Sequence, residues 1–399
     1  MENKNIAKSG WAAAFTVASV WFGTHVGGGF ASGNQVVNYF AQYGWTAAIY
    51  PIIAMGILAY VMYIVMKFAK LNGFTNYKDT FSALYPTPKL EFLFEIFYII
   101  ILLAAVAAAV AGAGNVLANF VGADYSVPGT KLIFNLIIVV VLILLSIFGV
   151  KLVIAASTVL SIGILITTAI VVIAGFAADF DAISAELYAA NVIEPIAFTS
   201  TPGKAIWLGI IIYAAFQCVS IPPMIAASQE LSVKGVKRAN ILGWLMNGLA
   251  LAASGAMLTR WYPLLAALER GKIEGYTTAA TGIPNQTVLT LIGIKWILAV
   301  FSILLFCAFV STSVTLIYTM VQRFQGKFFP KAIKNEKLRG VFVAGIAIAV
   351  CFAISLLGLS NIIKYAYGYD GYYAILVIII PAFIWGIPKI KKLEAAQKK

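Results

Sequence analysis

Residues 11–40 read WAAAFTVASVWFGTHVGGGFASGNQVVNYF. The stretch is apolar and long enough to cross a bilayer, which takes roughly 20 helical residues. Its middle nevertheless carries Gly23, Gly27, Gly28, Gly29 and Gly33 around His25, the only histidine in the chain. Glycine adopts backbone conformations closed to other residues and lets a ligand approach the main chain. Unpaired backbone groups cost several kcal/mol each in hydrocarbon, so an opened helix persists only inside protein or beside a cavity. The glycines therefore predict a span unwound from about Gly23 to Gly29. Carbonyls freed on the first half-helix suit a hard cation. N–H groups freed at the start of the second, near Phe30, suit a carboxylate, helped by the helix dipole.

The competing explanation is close helix packing through small residues. A second interruption weighs against it. Residues 205–231 read AIWLGIIIYAAFQCVSIPPMIAASQEL, with Gln217, Ser220 and Pro222-Pro223 near the centre. Proline breaks a helix interior but starts a new helix well. Both breaks begin about 12 residues in, roughly 18 Å at 1.5 Å per residue. That is near the middle of a core about 30 Å thick.

The 399 residues are 62% apolar and 11% charged, against roughly 25% charged in soluble domains. Mean hydropathy is +0.94. This is an integral membrane protein. The first apolar stretch is too long for a signal-peptide core and lacks a small-residue cleavage site, so no cleavable signal is expected. Ten spans are expected near 11–39, 45–67, 91–119, 131–148, 152–176, 205–231, 239–259, 295–321, 340–357 and 362–387.

An even number places both termini on one side. Of the 28 Lys and Arg, 21 then fall inside, including Lys4, Lys8, Lys234, Lys237, Arg238 and the cluster from Arg323 to Arg339. The other seven are Lys131, Lys204, Arg260, Arg270, Lys272, Lys295 and Lys364. This asymmetry is the positive-inside pattern, with cytoplasmic termini in a plasma membrane. The net charge of +13 is thus a topology signal, and nucleic acid is not expected as a partner. Cys218, Cys307 and Cys351 fall within spans and suggest neither disulfide nor metal site. A sequon at Asn285 would face outside.

The acidic connection 177–204 divides the spans five and five. Five is odd, so the second half enters with opposite orientation, the inverted repeat of many secondary transporters. The expected fold class is an all-α integral membrane protein: ten helices in a 5+5 inverted repeat, with helices 1 and 6 discontinuous. The first repeat is expected over 11–178, the second over 205–387, and a basic cytoplasmic tail over 388–399.

With those breaks, the chain resembles transporters of the leucine-transporter fold, in the amino acid–polyamine–organocation superfamily. The resemblance covers essentially all ten spans. VGGGFASG (26–33) is similar to a poorly characterised bacterial branch, the YkvI-like membrane proteins. The resemblance implies a sodium site built from two carbonyls three residues apart in the first helix. The eighth adds a carbonyl followed three and four residues later by two hydroxyls. Gly23 and Val26 match the first part; Ala308, Ser311 and Thr312, within CAFVSTSVT, match the second. Residues three and four apart share a helical face. Ser313 and Thr315 offer a second register, and such hydroxyls often bond to the preceding turn instead. Some proton-coupled relatives put a lysine from the fifth helix in place of sodium; no Lys or Arg lies between Lys151 and Lys204.

The expected function is sodium-coupled transport of a small organic solute, an amino acid or related zwitterion, by a bundle rocking around a midplane site. His25, Gly27, Gly28, Gly29, Phe30, Gln217 and Ser220 are the candidate solute contacts, with Trp21, Phe22, Tyr213 and Phe216 as walls. Asp370, roughly 12 Å into the tenth span, is assigned coupling or gating, with Gly368 and Gly371 able to open the helix beside it. AAVAAAVAGAGN (104–115) suits close packing beside the broken helices. Alternatives are proton coupling through His25 or Asp370, and a solute receptor that does not transport. No metal cluster, P-loop or nucleophile–base pair suggests an enzyme.

Overall fold

Apolar runs of this length can pair their backbone groups in lipid only as helices, and among the described residues those runs are predominantly helical. The computed structural model describes residues 9–145, 150–273, 282–324 and 335–397. Lys4, Lys8, Lys327, Lys331, Lys334, Lys398 and Lys399, used above for orientation, lie outside them.

The first span comprises Trp11–His25, Gly28–Ala31 and Asn34–Tyr39. Tyr50–Asn72, Glu91–Phe120, Pro128–Leu144 and Val150–Ala177 follow as the second to fifth. The second half contains Pro202–Ala227, Val233–Glu269, Lys295–Phe324, Glu336–Ser355 and a tenth helix starting at Leu359. Among the described residues, seven helices are long and apolar enough to cross a membrane. The first span misses that test because it is interrupted, and Pro128–Leu144 because it has 17 residues. Exposed Ile133, Ile166, Ile173, Leu249 and Leu376 give the helices an apolar outer face for lipid.

Several boundaries differ from the sequence reading. The acidic connection holds a helix, Phe180–Ala189, bent 57° from the end of the fifth span. The seventh helix extends past both expected ends, with Arg238 over the Trp11 ring at 4.7 Å. The tenth continues to Gln397, so most of the expected tail is helical. There Lys389 donates to the carbonyls of Ala83, Leu84 and Tyr85 at 2.6–3.0 Å. A cation on the last carbonyls of Tyr77–Leu84 complements that helix's negative end.

Two groups of helices emerge from the packing. The seventh span packs most closely on the second and first, and the sixth joins them. The eighth packs most closely on the third and fifth, and the third also binds the fourth and ninth. The interrupted first span lies along the seam between the groups.

Candidate functional site

The first break is narrower than expected. Helix Trp11–His25 carries through Gly23, and only Val26 and Gly27 leave the helix, Gly27 in an extended conformation. The Gly27 N–H goes to the His25 carbonyl at 2.9 Å instead of to Gly23. The N–H groups of Ala31 and Ser32 go to Gly27 and Gly28. The Gly23 and Val26 carbonyls are thereby left outside the α-helical ladder. A Cβ on Gly23 or Gly27 would meet nothing within 4 Å, so both face open space.

At Gly28 and Gly29 the missing side chains leave room for neighbouring groups. A Cβ on Gly28 would lie 2.2 Å from the Phe309 ring, and one on Gly29 would lie 2.6 Å from Gln35 Nε2. These glycines make room for side chains. The span also breaks again at Gly33, whose φ of 83° suits glycine. The helix beginning at Gly28 is therefore a single turn, with a far weaker dipole than the expected half-span. Asn285 satisfies the freed carbonyls: its Nδ2 donates to Ala31 at 2.8 Å and its N–H to Ser32 at 3.0 Å. Asn285 is fully buried, so the sequon is not presented for glycosylation.

The second break tightens without unwinding. Gln217–Ser220 forms a 3₁₀ turn between Tyr213–Phe216 and Ile221–Ala227, and Pro222 and Pro223 open the following helix. α-Helical bonding lapses there, as the prolines demand, but Phe216, Gln217, Ser220 and Ile221 keep right-handed helical dihedrals. The Ser220 hydroxyl is buried without a partner.

Beside these interruptions lies a cavity of about 350 Å³. Gly23, Val26, Ala308, Ser311 and Thr312 all line it, together with Thr24, Gly27, Ser220 and Thr315. Ser311 donates to the Ala308 carbonyl at 3.1 Å, Ser313 to Phe309 at 3.0 Å, and Thr315 to Ser311 at 2.8 Å. The expected back-bonding is therefore present, yet a donating hydroxyl keeps oxygen lone pairs for a cation. Every polar group in this set is a neutral oxygen, the donor chemistry of a hard, weakly charged cation. Among the described residues there is no cluster of His, Cys, Asp or Glu able to hold a metal.

A second cavity, about 140 Å³, adjoins the first and shares Thr24, Gly27, Leu102, Val219, Thr312 and Leu316 with it. His25, Gly28, Gly29, Gln35, Phe216, Gln217, Phe309 and Tyr367 line it. Both ring nitrogens of His25 are engaged, Nδ1 with Asn247 at 2.7 Å and Nε2 with the Tyr213 hydroxyl at 2.9 Å. Phe30 packs on that ring at 5.7 Å.

No protein-family model matches the chain, and no curated protein matches it. Solved structures do. A sodium-coupled sialic acid symporter, substrate-bound and outward-open, aligns over 94% of this chain and 80% of its own, with 18% identity and a TM-score of 0.56. MhsT in complex with L-phenylalanine aligns over 97% and 96%, with 15% identity and a TM-score of 0.53. A manganese transporter from Eremococcus coleocola aligns over 96% and 80%, with 17% identity and a TM-score of 0.52. The chain has the leucine-transporter fold.

In that fold the remaining expected residues are dispersed. Trp21 lies against Gly243, whose absent Cβ would sit 2.2 Å from the indole, and lines neither cavity. Asp370 lies on the helix Gly368–Ala374, which Gly368 and Gly371 do not open; Gly371 admits Ile212, whose Cγ2 would be 2.7 Å from a Cβ. Asp370 is 2% exposed and neither carboxylate oxygen has a partner. Sequence reasoning missed Asn247, Gln35, Asn285 and Phe309. Polar residues inside a span were the available signal for Asn247 and Gln35; Asn285, in the connection before the eighth span, stood out only as a sequon, and nothing local marks Phe309.

Proposed function

We propose that this membrane protein is a secondary active transporter of a small organic solute, an amino acid or related zwitterion, with sodium as the coupling ion. One observation carries the reading: the five oxygen-bearing positions that the family resemblance implies as cation ligands line one cavity between two helix groups. Two belong to the interrupted first span and three to the eighth. A cation held by both would tie the groups together, so rocking that separates them would release it. Solute would occupy the adjoining cavity, its carboxylate near the N–H groups of Gly28, Gly29 and Phe30 and its polar end toward Gln217. His25, tied to the sixth and seventh spans, would keep the moving group rigid. The sodium-coupled sialic acid symporter of similar fold adds support. The charge asymmetry favours cytoplasmic termini.

The test is thermal stability of the purified protein in sodium against potassium. An ion at 100 times its dissociation constant stabilises by about 2.7 kcal/mol, which Thr312→Ala should remove. Equal stability in both salts would reject sodium. A second reading, proton coupling, rests on Asp370, a buried carboxylate without a partner. Uptake that follows a pH gradient and ignores sodium, and is lost in Asp370→Asn, would select it.

A further inference from the structure

We infer that Phe309 sets the upper size of the solute, limiting this conformation to small zwitterions of alanine's size. The inference rests on the proposed solute site and names what that site excludes.

Phe309 projects from the eighth span into the seam between the helix groups. Its ring occupies the place of two missing side chains. A Cβ on Gly28, in the first span, would lie 2.2 Å from the ring, and one on Gly112, in the third, 2.3 Å from it. The ring is 1% exposed and forms one wall of the 140 Å³ cavity. Two glycines, one in the first span and one in the third, leave a slot that the phenyl group fills.

Size follows from this filling. An apolar cavity of about 150 Å³ accommodates benzene, about six non-hydrogen atoms. The cavity beside Phe309 is of that order, which matches alanine and falls short of leucine. Full drug-like pockets begin at about 300 Å³. Gly27 and Gln217 also line the cavity and would hold the polar end of a solute. Phe309 contributes only bulk there, so changing it alters which solutes fit without removing a polar contact. Its position directly after Ala308 also places the size limit one residue from the proposed cation ligand.

Binding of glycine, L-alanine and L-leucine to the wild-type protein and to Phe309→Ala, read by thermal shift in sodium, tests the inference. Alanine should stabilise the wild type at concentrations at least tenfold below leucine, and Phe309→Ala should bind leucine at least tenfold more tightly than the wild type does. An unchanged alanine-to-leucine ratio would overturn it. Phe309→Leu provides a milder truncation if the alanine variant does not fold.

A second arm needs no solute. In a background without Cys218, Cys307 and Cys351, Gln217→Cys is treated with methyl and with benzyl methanethiosulfonate. With Phe309 present, only the methyl reagent should react; with Phe309→Ala, both should. Equal benzyl rates in the two proteins, or no benzyl reaction in Phe309→Ala, overturn the inference. If no amino acid shifts either protein while the labelling differs as expected, the solute class fails and the size limit stands.

Discussion

The Nδ1 atom of His25 lies 2.7 Å from Oδ1 of Asn247, and this contact determines the tautomer of the ring. Asn247 donates its Nδ2 to the Gly243 carbonyl at 2.8 Å, so its Oδ1 is the accepting end. Nδ1 of His25 therefore donates, and Nε2 accepts from the Tyr213 hydroxyl. One imidazole joins the first, sixth and seventh spans at the break.

Removing His25 strands the buried Oδ1 of Asn247, and removing Asn247 strands Nδ1 of His25, at about 1–3 kcal/mol for each orphaned atom. His25→Ala and Asn247→Ala should each lower thermal stability in detergent. The double variant should lose less than the sum, because the two share one interaction. Strict additivity would show that the contact contributes nothing.

The register of the eighth span has its own test. Ser311 and Thr312 line the larger cavity, whereas Ser313 does not and bonds back to Phe309. Ser311→Ala and Thr312→Ala should reduce sodium-dependent stabilisation at least tenfold in apparent affinity. Ser313→Ala should leave it within twofold. Sodium titrations followed by intrinsic fluorescence would measure both, and the reverse order would move the ion ligands to the alternative register.

Gly28→Ala places a methyl group where the Phe309 ring lies. Overpacking of this kind costs about 1–3 kcal/mol. The loss should appear in Gly28→Ala alone and shrink when Phe309→Leu is added. Gly23→Ala, whose Cβ meets nothing within 4 Å, should leave stability nearly unchanged.

Asn285→Ala should unseat the break from outside the span. It removes the donor to the Ala31 carbonyl and exposes that oxygen's desolvation cost, about 1–3 kcal/mol. Expression in a glycosylating host should leave Asn285 unmodified, visible as no mobility change on deglycosylation.

The two breaks show where local sequence stops being informative. Pro222 and Pro223 announce their own effect, since a ring without an N–H cannot continue the preceding ladder. Glycines only permit departure from a helix. Which of the five would leave it depended on outside partners: Asn285 for the Ala31 carbonyl, Phe309 for the gap at Gly28, and Gln35 for the gap at Gly29. For the same reason Gly368 and Gly371 remain helical, with Ile212 filling the space that a side chain would have taken.

Local sequence alone determined that the chain would build membrane helices, where glycine and proline would interrupt two of them, and that Ala308, Ser311 and Thr312 share one face of the eighth. Those properties follow from lipid's refusal of unpaired backbone and from the repeat of the helix, both local. The tertiary structure alone decided that His25 would be tied between Asn247 and Tyr213, that Asp370 would be buried without a partner, and that a phenyl ring would fill the slot between Gly28 and Gly112. Each of these depends on groups far apart in the chain meeting at one point, and no local pattern records such a meeting.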